Sequence, residues 1–158
     1  MKKLLATVIV LAVIAGGLYL AFRKGMLPAG GGGLDVPVRI VGADGVITLQ
    51  IEMNYDPDAA RAVAVNAGPL APFLQSSLAT PGRVVIGIVN DDGMKGDGEA
   101  ARIRFERLKK GEPVALKVAP QITAHEAETR YRLAPTATDG LLPERGEPTP
   151  VVVRFGRR

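Results

Sequence analysis

The sequence predicts a β-sandwich of about nine short strands, preceded by one hydrophobic helix. Apolar and polar residues alternate with a period of two in segment after segment, which is typical of strands with one buried face. Clusters of Gly, Pro, Asn and Asp recur between these segments at regular spacing. Beyond residue 33, no segment has the clear periodicity of an amphipathic helix. These three observations favour an all-β domain made of two packed sheets.

The N-terminal segment, residues 1–24, is predicted to be a transmembrane signal anchor. Leu4 to Phe22 contains no charged residue, and as a helix it would span roughly 28 Å, close to the hydrocarbon thickness of a bilayer. A cleaved signal peptide is the alternative, because Lys2 and Lys3 form a basic start and Val13 to Ala15 offers small residues for cleavage. The length of the apolar run favours the uncleaved anchor.

Basic residues flank this segment with a small excess at the N-terminus. We therefore expect a bacterial-type cytoplasmic membrane, an N-terminus inside, and a domain in the periplasm or outside the cell. Small residues four apart would let a second transmembrane helix approach, although ordinary Ala and Gly usage also explains them. They are Ala12, Gly16, Gly17 and Ala21. A glycine-rich linker, residues 25–33, leads to the predicted domain, residues 34–158.

The net charge of +4 lies beside the apolar segment rather than in the domain. Four of the 20 Lys and Arg residues flank that segment, which leaves 16 basic and 16 acidic residues in the rest of the chain. A neutral domain without Trp lacks the basic surface and the stacking platform of a nucleic-acid-binding protein, so we exclude that class of partner. The absence of Cys excludes disulfides and thiolate metal sites.

The first half of the domain has its clearest pattern between Val46 and Pro57. Ile47, Leu49, Ile51, Met53 and Tyr55 alternate there with polar residues, which predicts a strand with one buried face. Asp56-Pro57-Asp58 then ends the strand, because proline fixes φ and cannot donate to a ladder. Around it we predict strands over Asp35 to Val41 and Arg61 to Asn66, a turn over residues 42–45, and a packed loop or short helix over Ala67 to Thr80.

The second half contains a strand with apolar residues on both faces, Arg83 to Asn90, and this pattern is typical of a central strand. Gln121 to Leu133 fits a helix or strands, with the alternation over Thr129 to Leu133 favouring a strand. Ala134 to Pro150 is dense in turn-forming residues. The remaining predictions are a loop over residues 90–98 and strands over Ala101 to Glu106, Glu112 to Ala119 and Val151 to Phe155.

Three segments in order resemble the cohesin domain family. They are Leu49 to Pro57 with its Tyr55-Asp56-Pro57 ending, Pro81 to Ile86, and Gly96 to Phe105. The resemblance implies a nine-stranded jelly-roll sandwich that binds another protein non-covalently, in the best-known cases a dockerin on a secreted enzyme. It assigns no partner-contact residue, because the family's binding face is a strand surface without a fixed motif.

The domain offers little material for catalysis. His125 is the single histidine, Ser76 and Ser77 are the only serines, and Cys is absent, so a nucleophile with a base and an orienting acid cannot readily be assembled. We therefore predict no enzymatic activity and no cofactor. His125 is interpreted as a surface residue.

Two clusters of charge remain as candidates. Calcium prefers several oxygen ligands at short spacing, and the glycine-rich loop supplies Asp91, Asp92, Asp97 and Glu99. The alternative is that these residues serve turn geometry. The second cluster is basic and consists of Arg102, Arg104, Arg107, Lys109 and Lys110. We interpret it first as a solvated face that protects a sheet edge. The second interpretation is a docking surface for an acidic partner or for lipid headgroups.

The sequence as a whole predicts a non-catalytic, membrane-anchored module that binds protein. We expect an accessory or scaffolding subunit that stabilises a larger membrane protein complex, such as a respiratory or photosynthetic one, on the periplasmic side. The alternative is a cell-surface receptor for a secreted dockerin-bearing enzyme or for a polysaccharide.

Overall fold

The computed structural model describes residues 33–125 and 134–156, which form a sandwich of two β-sheets with ten strands and no helix. The predicted anchor, residues 25–32 of the linker and the predicted strand over Thr129 to Leu133 lie outside the described residues. Within those residues, no helix has the length and apolar character needed to cross a membrane. The strands are β1 (Leu34–Val41), β2 (Val46–Asn54), β3 (Ala60–Ala67), β4 (Phe73–Ser77), β5 (Arg83–Val89), β6 (Gly98–Arg107), β7 (Val114–His125), β8 (Ala134–Thr138), β9 (Gly140–Leu142) and β10 (Val151–Gly156).

Each sheet contains five strands. Sheet A has the order β3-β6-β1-β10-β8, and sheet B has the order β4-β5-β2-β7-β9. Neighbouring strands run antiparallel except for β1 and β10, whose register pairs Val38 with Val151 in parallel. The first and last strands of the described domain are therefore hydrogen-bonded neighbours inside sheet A.

The core lies between the sheets and follows the period of two in the sequence. On β2, Leu49, Ile51 and Met53 are fully buried, as predicted. The same alternation on the other central strands buries Val36, Val38, Ile40, Val84, Ile86, Ile88, Ile103, Phe105, Val151 and Val153. The predicted one-faced strands thus supply the two inner layers of the sandwich.

At the start of β2, the observed burial differs from the predicted alternation at one residue. Ile47 is predicted to be buried, but Val46 is buried instead and Ile47 is half-buried. The register between β2 and β7 shifts around Thr48, as it does at a β-bulge. A bulge inserts one extra residue and reverses the faces before it, so strict alternation fails at this end of the strand.

Two further segments correct the sequence-based predictions, and a third decides between alternatives that the sequence left open. Ala67 to Thr80, predicted as a loop or short helix, contains β4, and the turn-dense segment Ala134 to Pro150 contains β8 and β9. Residues 121–125 continue β7. Strand β5 is internal to sheet B, but β2 holds the central position and the second face of β5 is only half covered. Short strands of three to five residues at sheet edges leave a weak periodic signal, which explains why they were missed.

Candidate protein-binding face

The two sheets expose surfaces of different chemistry. We call the outward surface of sheet A face A and the outward surface of sheet B face B. Their side chains are set by the strand registers, because residues directly opposite each other share a face. Face B comprises Thr48, Gln50, Glu52, Asn54, Phe73, Gln75, Ser77, Arg83, Val85, Gly87, Val89, Lys117, Ala119 and Gln121.

One half of face B has no charge and exposes an aromatic ring. Phe73 is opposite Val89, and the next row across the sheet is formed by Gln75, Gly87 and Gln50. The exposed fractions of Phe73 and Val89 are 65% and 36%. Large apolar side chains left in water on a rigid strand surface are typical of protein-binding sites.

The other half of face B carries charges that are neutralised locally. Arg83 donates to the Glu52 carboxylate at 2.6 Å, and hydrogen bonds from Arg83 and then from Asn54 lower the pKa of Glu52. Lys117 donates to Asp139 at 2.7 Å, and this bond, with one from the backbone N–H of Val118, lowers the pKa of Asp139. Face B is therefore close to neutral along its length.

Face A is a ladder of arginines and carboxylates. Arg104 forms a two-pronged pair with Asp35 at 3.0 and 3.2 Å, and Arg102 forms one with Glu99 at 2.9 and 2.7 Å. The hydrogen bond from Arg104 lowers the pKa of Asp35, and the one from Arg102 lowers the pKa of Glu99. A third pair joins Arg61 to Glu106 at 2.5 Å.

The predicted basic cluster divides into three roles. Arg102 and Arg104 belong to the face A pairs, and the guanidinium of Arg107 donates to the carbonyls of Glu112, Leu142 and Pro143. Lys109 lies 3.7 Å from Asp58, and Lys110 is exposed. Arg102 and Arg104 lie on a solvated face, as first interpreted, but they protect no sheet edge, because β6 lies between β3 and β1.

Lys109 and Lys110 also line an open groove of about 620 Å³ at one end of the sandwich. The groove begins at Asn54 and Lys117, where face B ends, and continues past Tyr55. The lining also includes Asp56 and Glu112 beside its lysines, so the groove has no strong preference of charge. It extends the surface that face B offers.

The four calcium candidates are not gathered around one point. Asp97 accepts a hydrogen bond from the backbone N–H of Gly42 at 2.8 Å, and Glu99 is held by Arg102. Asp91 and Asp92 are exposed in the turn before them. Among residues 33–125 and 134–156, no group of three or more His, Asp or Glu side chains is placed to hold a metal ion.

This loop instead fastens the turn between β1 and β2. Asp44 accepts from the backbone N–H of Gly96 at 2.8 Å, while Met94, fully buried, exchanges backbone hydrogen bonds with Gly45 and Val46. Carboxylates that accept backbone N–H groups across two turns fix loop geometry. Asp97 is the one calcium candidate for which such a contact is described. The side chain of His125 is not among those described.

All three sequence landmarks meet at the joint between the sheets, through Tyr55, Gly82 and Phe105. The backbone N–H of Tyr55 donates to the carbonyl of Gly82 at 2.8 Å, and the Tyr55 hydroxyl accepts from the backbone N–H of Ala62 at 3.1 Å. The Tyr55 ring packs edge-on against Phe105 with centroids 5.2 Å apart. Gly82 has φ of +79°, and a Cβ there would lie 2.9 Å from the Tyr55 carbonyl oxygen. The landmarks are therefore structural.

Sequence reasoning missed Phe73, the most exposed of the large apolar residues on face B. Phe73 lies in the segment predicted as a packed loop or short helix, and that prediction gives its ring no role on the surface. One signal was available: residues 67–82 contain no charged side chain. An apolar segment without charges on a surface strand is unusual enough to indicate an interaction site.

No protein-family model matches the chain, and no curated protein matches it. Solved structures do. CaCohA2 from Clostridium acetobutylicum is 15% identical, with a TM-score of 0.54 and coverage of 80% of this chain and 83% of that chain. The CaCohA2 chain of the CaDoc0917–CaCohA2 complex is 16% identical, with a TM-score of 0.53 and coverage of 79% of this chain and 89% of that chain. The sixth cohesin of Acetivibrio cellulolyticus scaffoldin B, in complex with a Cel5 dockerin, is 13% identical, with a TM-score of 0.50 and coverage of 78% of this chain and 88% of that chain.

These likenesses confirm a cohesin-like fold, as the three landmarks predicted. The number of strands differs, because the described residues form ten strands rather than about nine. At this level of identity the comparison concerns the fold alone.

Proposed function

We propose that the protein is a non-catalytic module that binds another protein through face B. The observation that carries the proposal is Phe73, an exposed aromatic ring beside Val89 on the half of face B that has no charge. Interface centres are depleted of charge and enriched in aromatic residues, and a buried aromatic anchor often supplies much of the binding energy. Strand β5 pairs with both β4 and β2, so the platform beneath the ring is rigid.

The solved structures of similar fold support a protein partner. The Acetivibrio cellulolyticus cohesin was solved in complex with a dockerin, so a sandwich of this shape can serve as a protein-binding platform. The row of face B next to Phe73 carries Gln75, Gln50 and Gln121. Their side chains can donate and accept hydrogen bonds without the large desolvation penalty of a charged group. Such a surface suits a specific, reversible complex.

The sequence suggests where this platform works. Residues 1–24 have the composition of a membrane anchor and residues 25–33 that of a flexible tether. We therefore propose a domain held on the periplasmic side of the membrane, with face B turned to a subunit of a larger membrane complex. In this role the protein is an accessory or scaffolding subunit.

A receptor for a dockerin-bearing protein is the second candidate. It is favoured by the solved cohesin–dockerin complex of the same fold. The two candidates share face B and differ in the partner, which is a resident membrane subunit in one case and a secreted protein in the other.

Site-specific photo-cross-linking of the full-length chain in its native membrane tests both candidates. A photoreactive phenylalanine analogue replaces Phe73 on face B, and the matched control places it at Arg39, an exposed position on face A. A protein adduct is expected from position 73 and not from position 39. A membrane subunit in the adduct supports the first candidate, a dockerin-bearing protein supports the second, and equal adducts from both positions would contradict the proposal.

A further inference from the structure

Strand β4 is an edge strand without the usual protection against pairing. In the described part of the chain it has a hydrogen-bonded neighbour, β5, on one side only. Its five residues, Phe73 to Ser77, include no Pro and no charge, and the charge-free stretch extends over residues 67–82. An edge strand presents a row of backbone N–H and C=O groups that can pair with another strand.

The other three sheet edges in the described domain are protected. Strand β3 carries the charged Arg61 and a register shift between Ala62 and Ala64, and β8 contains Pro135. Strand β9 has only three residues, and Leu141 exchanges backbone hydrogen bonds with Thr149 on its free side. Charges, bulges, prolines and covering segments are the devices that prevent strand addition. Within residues 33–125 and 134–156, the edge of β4 lacks all four.

We infer that the β4 edge pairs with the β4 edge of a second copy of this chain, joining two B sheets into one. Antiparallel pairing that engages all five residues is centred on Gln75, so that Phe73 faces Ser77 of the partner subunit and Gln75 faces its own equivalent. The two copies of β4 do not repel each other, because neither strand carries a charge, and their antiparallel pairing is symmetric. The side-chain amides of the two Gln75 residues can hydrogen-bond across the axis.

This inference is independent of the proposed function. The five-residue pairing leaves both copies of face B exposed, so the dimer would offer two partner-binding platforms on one continuous surface. A contact of this size buries less than the roughly 1,000 Å² expected of a stable interface. The dimer is therefore expected to depend on concentration and to form where chains are crowded or tethered together.

Cysteine cross-linking of the full-length chain tests the geometry directly, because the protein has no native Cys. Opposite residues of an antiparallel pair have Cα atoms about 4.5–5.5 Å apart, which lies within the range of about 4.4–6.8 Å that a disulfide requires. Under mild oxidation, Gln75→Cys is expected to form a linked dimer at least about tenfold faster than Gln121→Cys, an exposed control on the same row of face B. Equal rates at the two positions would overturn the inference.

Register and symmetry have their own test. A mixture of Phe73→Cys and Ser77→Cys chains should cross-link faster than either variant alone, since these positions face each other only between copies. Gln75→Lys and Gln75→Glu should each weaken dimerisation about two- to fivefold through like charges, and mixing the two should restore it. A dimer that ignores all of these charges is held elsewhere, for example by its N-terminal segments, and would contradict the pairing.

Discussion

Face A and face B are built on equally regular sheets, but they treat charge in opposite ways. On face A, Asp35, Glu99 and Glu106 each accept from an arginine of a neighbouring position. Removing such pairs from water is costly, and on an exposed surface each contributes little to stability. On face B, the rows around Phe73 have no charge to desolvate. Face A is therefore suited to remain in water, whereas the uncharged half of face B can be covered at small cost.

The largest effect is expected from placing a charge where face B has none. Phe73→Asp replaces an exposed aromatic anchor with a carboxylate that must be desolvated in the complex. We expect the dissociation constant for the partner captured at position 73 to rise at least about 30-fold, since truncated anchors commonly cost 2 kcal/mol or more. Titration of the full-length variant with that partner, by calorimetry or surface plasmon resonance, measures the change.

Val63→Asp is the matched control on the other sheet. Val63 is also apolar and has an exposed fraction of 36%, but it lies on β3 at the edge of sheet A. Its substitution should change the dissociation constant less than about twofold, as expected for a position outside the contact. If the two variants weakened binding equally, the distinction between the faces would be lost.

The next largest effect is expected on stability rather than on partner binding, from a substitution at Gly82. Gly82→Ala should lower the free energy of unfolding by about 2 kcal/mol, because a Cβ at φ of +79° is strained and meets the Tyr55 carbonyl oxygen. Gly96→Ala is the control: its φ of +72° is similar, but nothing lies within 4 Å of the added Cβ. Denaturant unfolding should show a clearly smaller loss for Gly96→Ala, near 1 kcal/mol.

Partner binding well below the melting temperature should survive Gly82→Ala, since Tyr55 and Gly82 hold the joint between the sheets and add no side chain to the uncharged half of face B. A loss of binding as large as that of Phe73→Asp would show that the joint itself is part of the site.

A smaller effect is expected from acid on the ion pairs of face A. The pKa values of Asp35 and Glu99 are lowered in the folded protein by their arginines, from ordinary values of 3.8 and 4.5. The stabilisation is therefore complete above those ordinary values and is lost as the pH falls below them. The melting temperature of wild type should drop on acidification through this window, and Asp35→Asn should drop less.

Asp92→Asn is the matched control for this measurement, because Asp92 is exposed and forms no ion pair among the described residues. It should follow the wild-type profile, and binding through the uncharged half of face B should change less over the same range. An Asp35→Asn profile that coincided with wild type would mean that the Asp35–Arg104 pair contributes nothing measurable, a result known for many exposed pairs.

The inner layers of the fold could be predicted from the sequence, and the outer faces could not. The burial of Leu49, Ile51 and Met53 could be predicted because apolar and polar residues alternate along the whole strand. The bulge near Thr48 interrupts this alternation. The strand that contains Phe73 has only five residues, too few to establish it clearly. The ion pairs of face A could not be predicted from local sequence patterns. Asp35 and Arg104 are 69 residues apart and become neighbours only through the topology of the sheet.

The smallest effect is expected from calcium, at a loop that belongs to neither face. Asp97 and Glu99 already accept hydrogen bonds from Gly42 and Arg102, and among the described residues no three acidic side chains are grouped to hold an ion. A cation would have to break these bonds, whereas a site of useful affinity supplies six or more oxygen ligands in place. We therefore expect millimolar calcium to leave the melting temperature unchanged, both in wild type and in Asp97→Asn. The second protein should melt lower than the first, since the Gly42 N–H loses a charged acceptor. A rise in the wild-type melting temperature with calcium, absent in Asp97→Asn, would instead assign the loop a binding role and add a charged site beside the two faces.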